Sequence, residues 1–174
     1  MRVLAVLASG QAKGALIDAD ARHDCRALTD AMTEVCASLA EQMARDAEGA
    51  TKFVRVCVAG ARTADDARVA ARAVANSQLV QCSLNGGDAY WGRVLSELGA
   101  SGALIDPENV TISYNGVTVC RHGIACDHDA AALAAAMAAH DIDVRCELDL
   151  GSGAAQVLTT DLSHAYIDEN RRTS

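Results

Sequence analysis

The chain has 174 residues, of which 51 % are hydrophobic but only 3 % aromatic, and it carries a formal net charge of −8. That length suits one domain or two small interlocked layers, with a core built from Ala, Val, Leu and Ile rather than large rings. The acidic balance argues against a nucleic-acid backbone as partner, and no apolar stretch is long enough to cross a membrane, so a soluble protein is expected.

In chain order, the opening run "RVLAVLASG" reads as a buried strand closed by Ser9-Gly10. It is too short for a secretory signal with its cleavage site. Residues 18 to 46 then carry one long helical pattern, in which Leu28, Met32, Val35, Leu39 and Met43 recur every three or four positions. A polar connection, "DAEGATKF", leads into a strand over 52 to 60 with Val54, Val56 and Val58 on one face and Arg55 on the other. Thr63, followed by Asp65 and Asp66, predicts the capped start of a second helix through Asn76, with a small face at Ala67, Ala70, Ala71 and Val74.

"LVQCSL" is expected to be a short strand, and "NGGDAYWGR" a glycine-rich loop entering a third helix near Trp91. "VTISYNGVTVC" predicts a hairpin, because Asn115-Gly116 between alternating residues favours a tight turn with positive φ. A further helix is expected over 129 to 140. A second hairpin is expected in "DVRCELDLGSGAAQVLTTDLS", turning on Gly151-Ser152-Gly153. Strands, hairpins and helices mixed in this order predict an α+β fold.

Seven cysteines, at 25, 36, 57, 82, 120, 126 and 146, fall mostly at apolar positions and are read as reduced core residues of a cytoplasmic protein. Cys120, His122, Cys126 and His128 put four zinc-type donors within nine residues. Their alternation departs from the short Cys and His knuckles of structural zinc sites, so a polar loop is the favoured reading. Gly86-Gly87 has neither the Walker nor the dinucleotide-loop order; a helix-entry turn is preferred, with Trp91 packing and Arg93 pairing with an acid. In the 46 to 53 connection, Glu48 can receive an ammonium group and Lys52 can pair with a carboxylate. No Ser-His-Asp or Cys-His arrangement can be argued.

Taken together, "LASG", "DAEGATKFVRVCVAGA", "ARAVANSQLVQCSL", "GDAYWGRVLSELG", "VTISYNGVTVC" and "LTTDLSHAYIDEN" resemble, in order and spacing, the C-terminal (β) part of the bifunctional ornithine/glutamate N-acetyltransferases. The resemblance covers nearly the whole chain. It implies layered antiparallel sheets and helices of the ornithine acetyltransferase / L-aminopeptidase D-esterase type, incomplete at the N-terminus. Residues 1–80 would be part of the main α/β sandwich, and residues 81–174 the remainder, with two hairpins and a substrate-contacting tail.

It also implies a precursor that cuts itself before a threonine into α and β chains that stay together and assemble as a heterotetramer. The new N-terminal threonine carries the acetyl group from N-acetylornithine to glutamate by a ping-pong route. Substrate contacts map onto Glu48, Asn170 and Ser174. No cofactor or metal is implied, and the oxyanion hole belongs to the α chain.

Three departures follow. The sequence starts inside the strand that precedes "LASG", so the nucleophile is expected outside it, leaving a sheet edge open and the isolated chain oligomeric or sticky. The family's Asp-Pro-Asn-Trp-Gly-Arg reads Asp88-Ala89-Tyr90-Trp91-Gly92-Arg93 here. The tail is one residue shorter and carries Arg171-Arg172 where small or aromatic residues are expected. Two expectations stand side by side: part of an acetyltransferase inactive by itself, or a non-catalytic relic or partner subunit of the same fold.

Overall fold

The structure, a computed structural model, describes Gln11, Ile17 and residues 22–171. The strand expected at the start of the chain and the tail residue Ser174 lie outside the described residues. The chain divides into two compact units, residues 1–39 and 40–174. In the first, the described part is dominated by helix α1 (Arg22–Arg45), which also runs on into the second. Its expected apolar stripe is present but open to solvent, with Leu28 44 %, Val35 55 % and Leu39 52 % exposed.

The second unit is built on a sheet of six strands: β1 (Phe53–Ala61), β2 (Thr111–Tyr114), β3 (Val117–Arg121), β4 (Ile124–Ala125), β5 (Asp141–Glu147) and β6 (Gly153–Thr160). Their spatial order is β4-β3-β2-β5-β1-β6. All neighbouring pairs are antiparallel except β1 with β5. The alternation read in β1 is kept: Val54, Val56 and Val58 are buried, opposite Ile142, Val144 and Cys146 of β5. Helix α2 (Ala64–Asn76) buries its small face at Ala67, Ala70, Ala71, Val74 and Ala75 in the same core. Thr63 caps it as expected, its hydroxyl accepting from the Asp66 amide at 3.0 Å.

Two expected elements differ. "LVQCSL" is helical, within α3 (Gln78–Asn85), because Ser77 caps the turn from the Val80 amide and the buried residues Val80, Ser83 and Leu84 recur at helical spacing. A six-residue run with three apolar positions fits either period, and the cap decided it. The second hairpin does not form, because β1 lies between β5 and β6. After β5 the chain hugs the end of β1, with Leu148 N donating to Ala59 O at 2.9 Å and Leu150 N to Gly60 O at 2.6 Å. The connection then crosses so close that a Cβ on Gly151 would lie 2.8 Å from Ala61 O. The glycines therefore serve a crossing over β1 rather than a two-strand turn.

The Asn115-Gly116 hairpin joins β2 and β3 with φ of 45° and 83° at its two central residues. Helices α4 (Trp91–Ala100), α5 (Ala130–Ala138) and α6 (His164–Asn170) complete the unit. The last turn of α1 is fixed to β5 by Arg45, whose guanidinium donates to both Asp141 oxygens at 3.0 and 2.7 Å and stacks 4.0 Å from the Phe53 ring centre. Only Cys120 and Cys146 of the seven cysteines are buried; Cys36 and Cys82 are exposed, so the core reading holds for a minority. No helix among the described residues is long and apolar enough to cross a membrane.

Candidate functional site

The connection between α1 and β1 is a folded loop with two anchors. Helix α1 ends at Arg45, and Ala50 N closes a turn on Ala47 O at 3.1 Å. Gly49, at φ +68°, therefore does not end the helix; it lets the first turn of α6 pack against the loop. A Cβ there would lie 2.3 Å from the Tyr166 amide nitrogen. Ser163, the N-cap of α6, completes this anchor by donating its hydroxyl to Gly49 O while accepting from the Tyr166 amide.

The second anchor is Asp161, at the end of β6 and only 4 % exposed. Its Oδ1 accepts from the amides of Thr51 and Lys52, both at 2.8 Å. Its Oδ2 accepts from Thr51 Oγ1 at 2.6 Å and Asn85 Nδ2 at 2.7 Å. Burial pushes the carboxyl's pKa up, but the hydrogen bonds from Thr51, Asn85 and the two amides outweigh it, leaving the group below its ordinary value. Among the described residues Lys52 does not pair with a carboxylate. Its ammonium donates to the carbonyls of Met137, Ala138 and Ala139 at 3.0, 3.2 and 2.8 Å, closing the C-terminal end of α5.

Beside this loop lies a cleft of about 310 Å³ lined by Ala47, Glu48, Gln78, Gln81, Thr160, Asp161, Leu162 and Tyr166. Among the described residues, two carboxylates and no basic side chain line it, so its field favours a cationic group. Gln81 is held in place: its Nε2 donates to Ala75 O at 2.9 Å and Thr159 Oγ1 at 3.2 Å, and its backbone carbonyl accepts from Leu162 N at 3.2 Å.

Of the residues singled out in sequence, Glu48 lines the cleft. Asn170 lies one turn along α6 from Tyr166, with Nδ2 donating to Tyr166 O at 2.8 Å, and does not line it. Ser174 is outside the described residues. Asp161, Gln78, Gln81 and Tyr166 were not singled out. Asp161 and Tyr166 sit inside "TTDLSHAY", but nothing local reveals that an acid at position 161 belongs with amides 110 residues earlier.

The other constellations remain structural. Cys120 Sγ is directed to Val110 O at 3.9 Å and Cys126 Sγ to Thr118 O at 3.5 Å, while His128 Nδ1 lies 2.9 Å from Cys126 O. Among the described residues no three His, Cys, Asp or Glu side chains gather as metal donors. In the glycine-rich loop Arg93 donates to Leu79 O at 3.0 Å and lies 3.7 Å from Asp88, as a helix-entry turn requires.

Comparison with known proteins matches the profile of the ArgJ family over residues 3–173. The arginine biosynthesis bifunctional protein ArgJ of Mycobacterium tuberculosis (strain ATCC 25618 / H37Rv) is 45 % identical over 143 residues, which is 82 % of this chain and 35 % of that protein. The protein of the same name from Zymomonas mobilis is 37 % identical over 164 residues, 94 % of this chain and 40 % of the relative. The chain thus spans little more than a third of the length of the curated relatives it matches. The crystal structure of arginine biosynthesis bifunctional protein argJ from Bacillus halodurans superposes with a TM-score of 0.85 at 28 % identity, covering 94 % of this chain and 77 % of that one.

Proposed function

We propose that this chain, which belongs to the ArgJ family, forms the C-terminal part of an acetyltransferase that moves an acetyl group from N-acetylornithine to glutamate in arginine biosynthesis. The observation that carries the reading is the Glu48 cleft, whose acidic lining suits the ammonium group of an amino-acid substrate. Glu48 is the amine contact, and Asn170 and Ser174 complete the substrate contacts from the C-terminal tail. The acetyl group rides on a threonine in the part of the ArgJ polypeptide outside these 174 residues. Attack by that hydroxyl breaks the acetyl–nitrogen bond of the donor and releases ornithine; the amine of glutamate then takes the acetyl group from the ester.

The partner in this reading is the α chain, joined to β as a heterotetramer in the cytoplasm. The solvent-exposed apolar stripe of α1 supports a partner, since contiguous apolar surface of this kind is uncommon on a monomer. Assays of acetyl transfer from N-acetylornithine to glutamate test the reading, run with the chain alone and with the N-terminal portion of an ArgJ protein supplied. No turnover is expected alone and turnover with the complement; turnover by the chain alone overturns the assignment of the nucleophile.

A second reading, a non-catalytic relic or structural partner subunit of the same fold, is favoured by the altered loop. Tyr90 occupies the N-cap of α4 and makes no side-chain cap, where the family's asparagine is a good capping residue. A complemented chain that assembles without turnover supports this second reading.

A further inference from the structure

We propose that Asp161 is the positioning residue of the Glu48 cleft: it fixes the Thr51-Lys52 peptide and thereby sets where the Glu48 carboxylate stands. The inference rests on the cleft reading above and goes beyond it, because Asp161 touches the loop rather than the ligand. A carboxylate that is 4 % exposed is costly to keep without compensation. Among the described residues Asp161 is compensated by neutral donors alone, since the neighbouring Lys52 ammonium is turned to the carbonyls of α5. Four accepted hydrogen bonds occupy its acceptor sites, which leaves it little capacity to bind a ligand directly.

Its bonds are spent on position. Glu48 precedes Gly49, whose carbonyl is tied to Ser163, and Thr51, which is tied twice to Asp161. Both ties come from one short segment, whose middle residue, Leu162, donates to Gln81 O on the lining of the cleft. The segment 161–163 therefore registers Glu48 against Gln81. An apolar residue at 161 would leave two consecutive amides without their acceptor and release the loop.

The test uses the chain assembled with the remainder of the ArgJ polypeptide, in four forms: Glu48→Gln, Asp161→Ala, Asp161→Asn and the Glu48→Gln/Asp161→Ala double variant. Asp161→Ala is expected to raise KM for N-acetylornithine by about 10-fold with a smaller effect on kcat, as expected for loss of a binding contact. The double variant should be no worse than Glu48→Gln, because Asp161 acts through Glu48. Asp161→Asn should recover most of the loss, since its carbonyl still accepts both amides and the Asn85 amide can turn over.

A fully multiplicative double variant, or Asp161→Asn as weak as Asp161→Ala, overturns the proposal and leaves the function reading standing if the unaltered assembly turns over. If that assembly is inactive the function reading fails, and amide hydrogen exchange on the chain decides the positioning. Asp161→Ala should speed exchange at Thr51 and Lys52 at least 10-fold while the β1 core stays protected. Unchanged exchange at those two amides overturns the proposal.

Discussion

Lys52 and Ala139 meet at the end of a helix: the Lys52 ammonium donates to the Ala139 carbonyl at 2.8 Å and to the two carbonyls before it. The last carbonyls of a helix lack intrahelical donors, and a cation there satisfies them and the helix dipole together. One of only two lysines in the sequence thus joins the loop carrying Glu48 to α5.

Replacing Lys52 with Met keeps its aliphatic reach and removes the charge. Stability should fall by about 1–2 kcal/mol, the scale of charge-assisted hydrogen bonds at a partly exposed helix end. A urea titration checks this: the midpoint should drop with an unchanged slope. An unshifted midpoint would contradict the capping role.

Gly49→Ala meets two obstacles at once, a positive φ and the α6 backbone 2.3 Å from the new Cβ. A loss of about 2–4 kcal/mol is expected, combining backbone strain with overpacking. Because the clash is with α6, limited proteolysis should cut near Tyr166 before it reaches the strands.

The depressed Asp161 pKa gives a pH signature. The unfolded carboxyl titrates at about 3.9, and the folded one lower, so its stabilisation is complete above the unfolded value and is lost as pH falls through the folded one. Between neutral pH and about pH 5 Asp161 should contribute no pH dependence. Denaturation measured below about pH 4 should be steeper for the natural chain than for Asp161→Asn, which has no proton to take up. Equal acid limbs would show that the folded carboxyl is not depressed.

Asn115 does more than turn the hairpin. Its Nδ2 donates to Ala136 O at 3.1 Å and Asp141 O at 3.0 Å, and its Oδ1 accepts from the Asp143 amide at 2.7 Å. Asn115→Gly keeps the positive φ and removes those bonds. It should cost about 1–3 kcal/mol, against near-neutrality if the turn alone mattered, and thermal unfolding distinguishes the two.

The hairpin shows what was legible. Asn-Gly between alternating residues announced β2 and β3, because the turn's conformational demand is local. The bonds from Asn115 to β5 and α5 were not announced, because their partners lie 21 to 28 residues on. The α3 segment failed for a different reason: its apolar run fits either period, and the Ser77 cap went unread. At the site, Glu48 stood out as an acid beside a glycine, whereas Gln81 lay in a segment expected to be a strand and Gln78 just before it.

By itself the sequence determined the local elements, since helix caps, period-two strands and the Asn-Gly turn depend on neighbours a few positions away. It also carried the motifs that mark the family. The tertiary structure decided the rest: β1 inserts between β5 and β6, Lys52 serves α5, and a buried Asp161 holds the loop beside Glu48. Each of these joins groups far apart in the chain, and such a pairing is fixed only when the packed core brings both ends together.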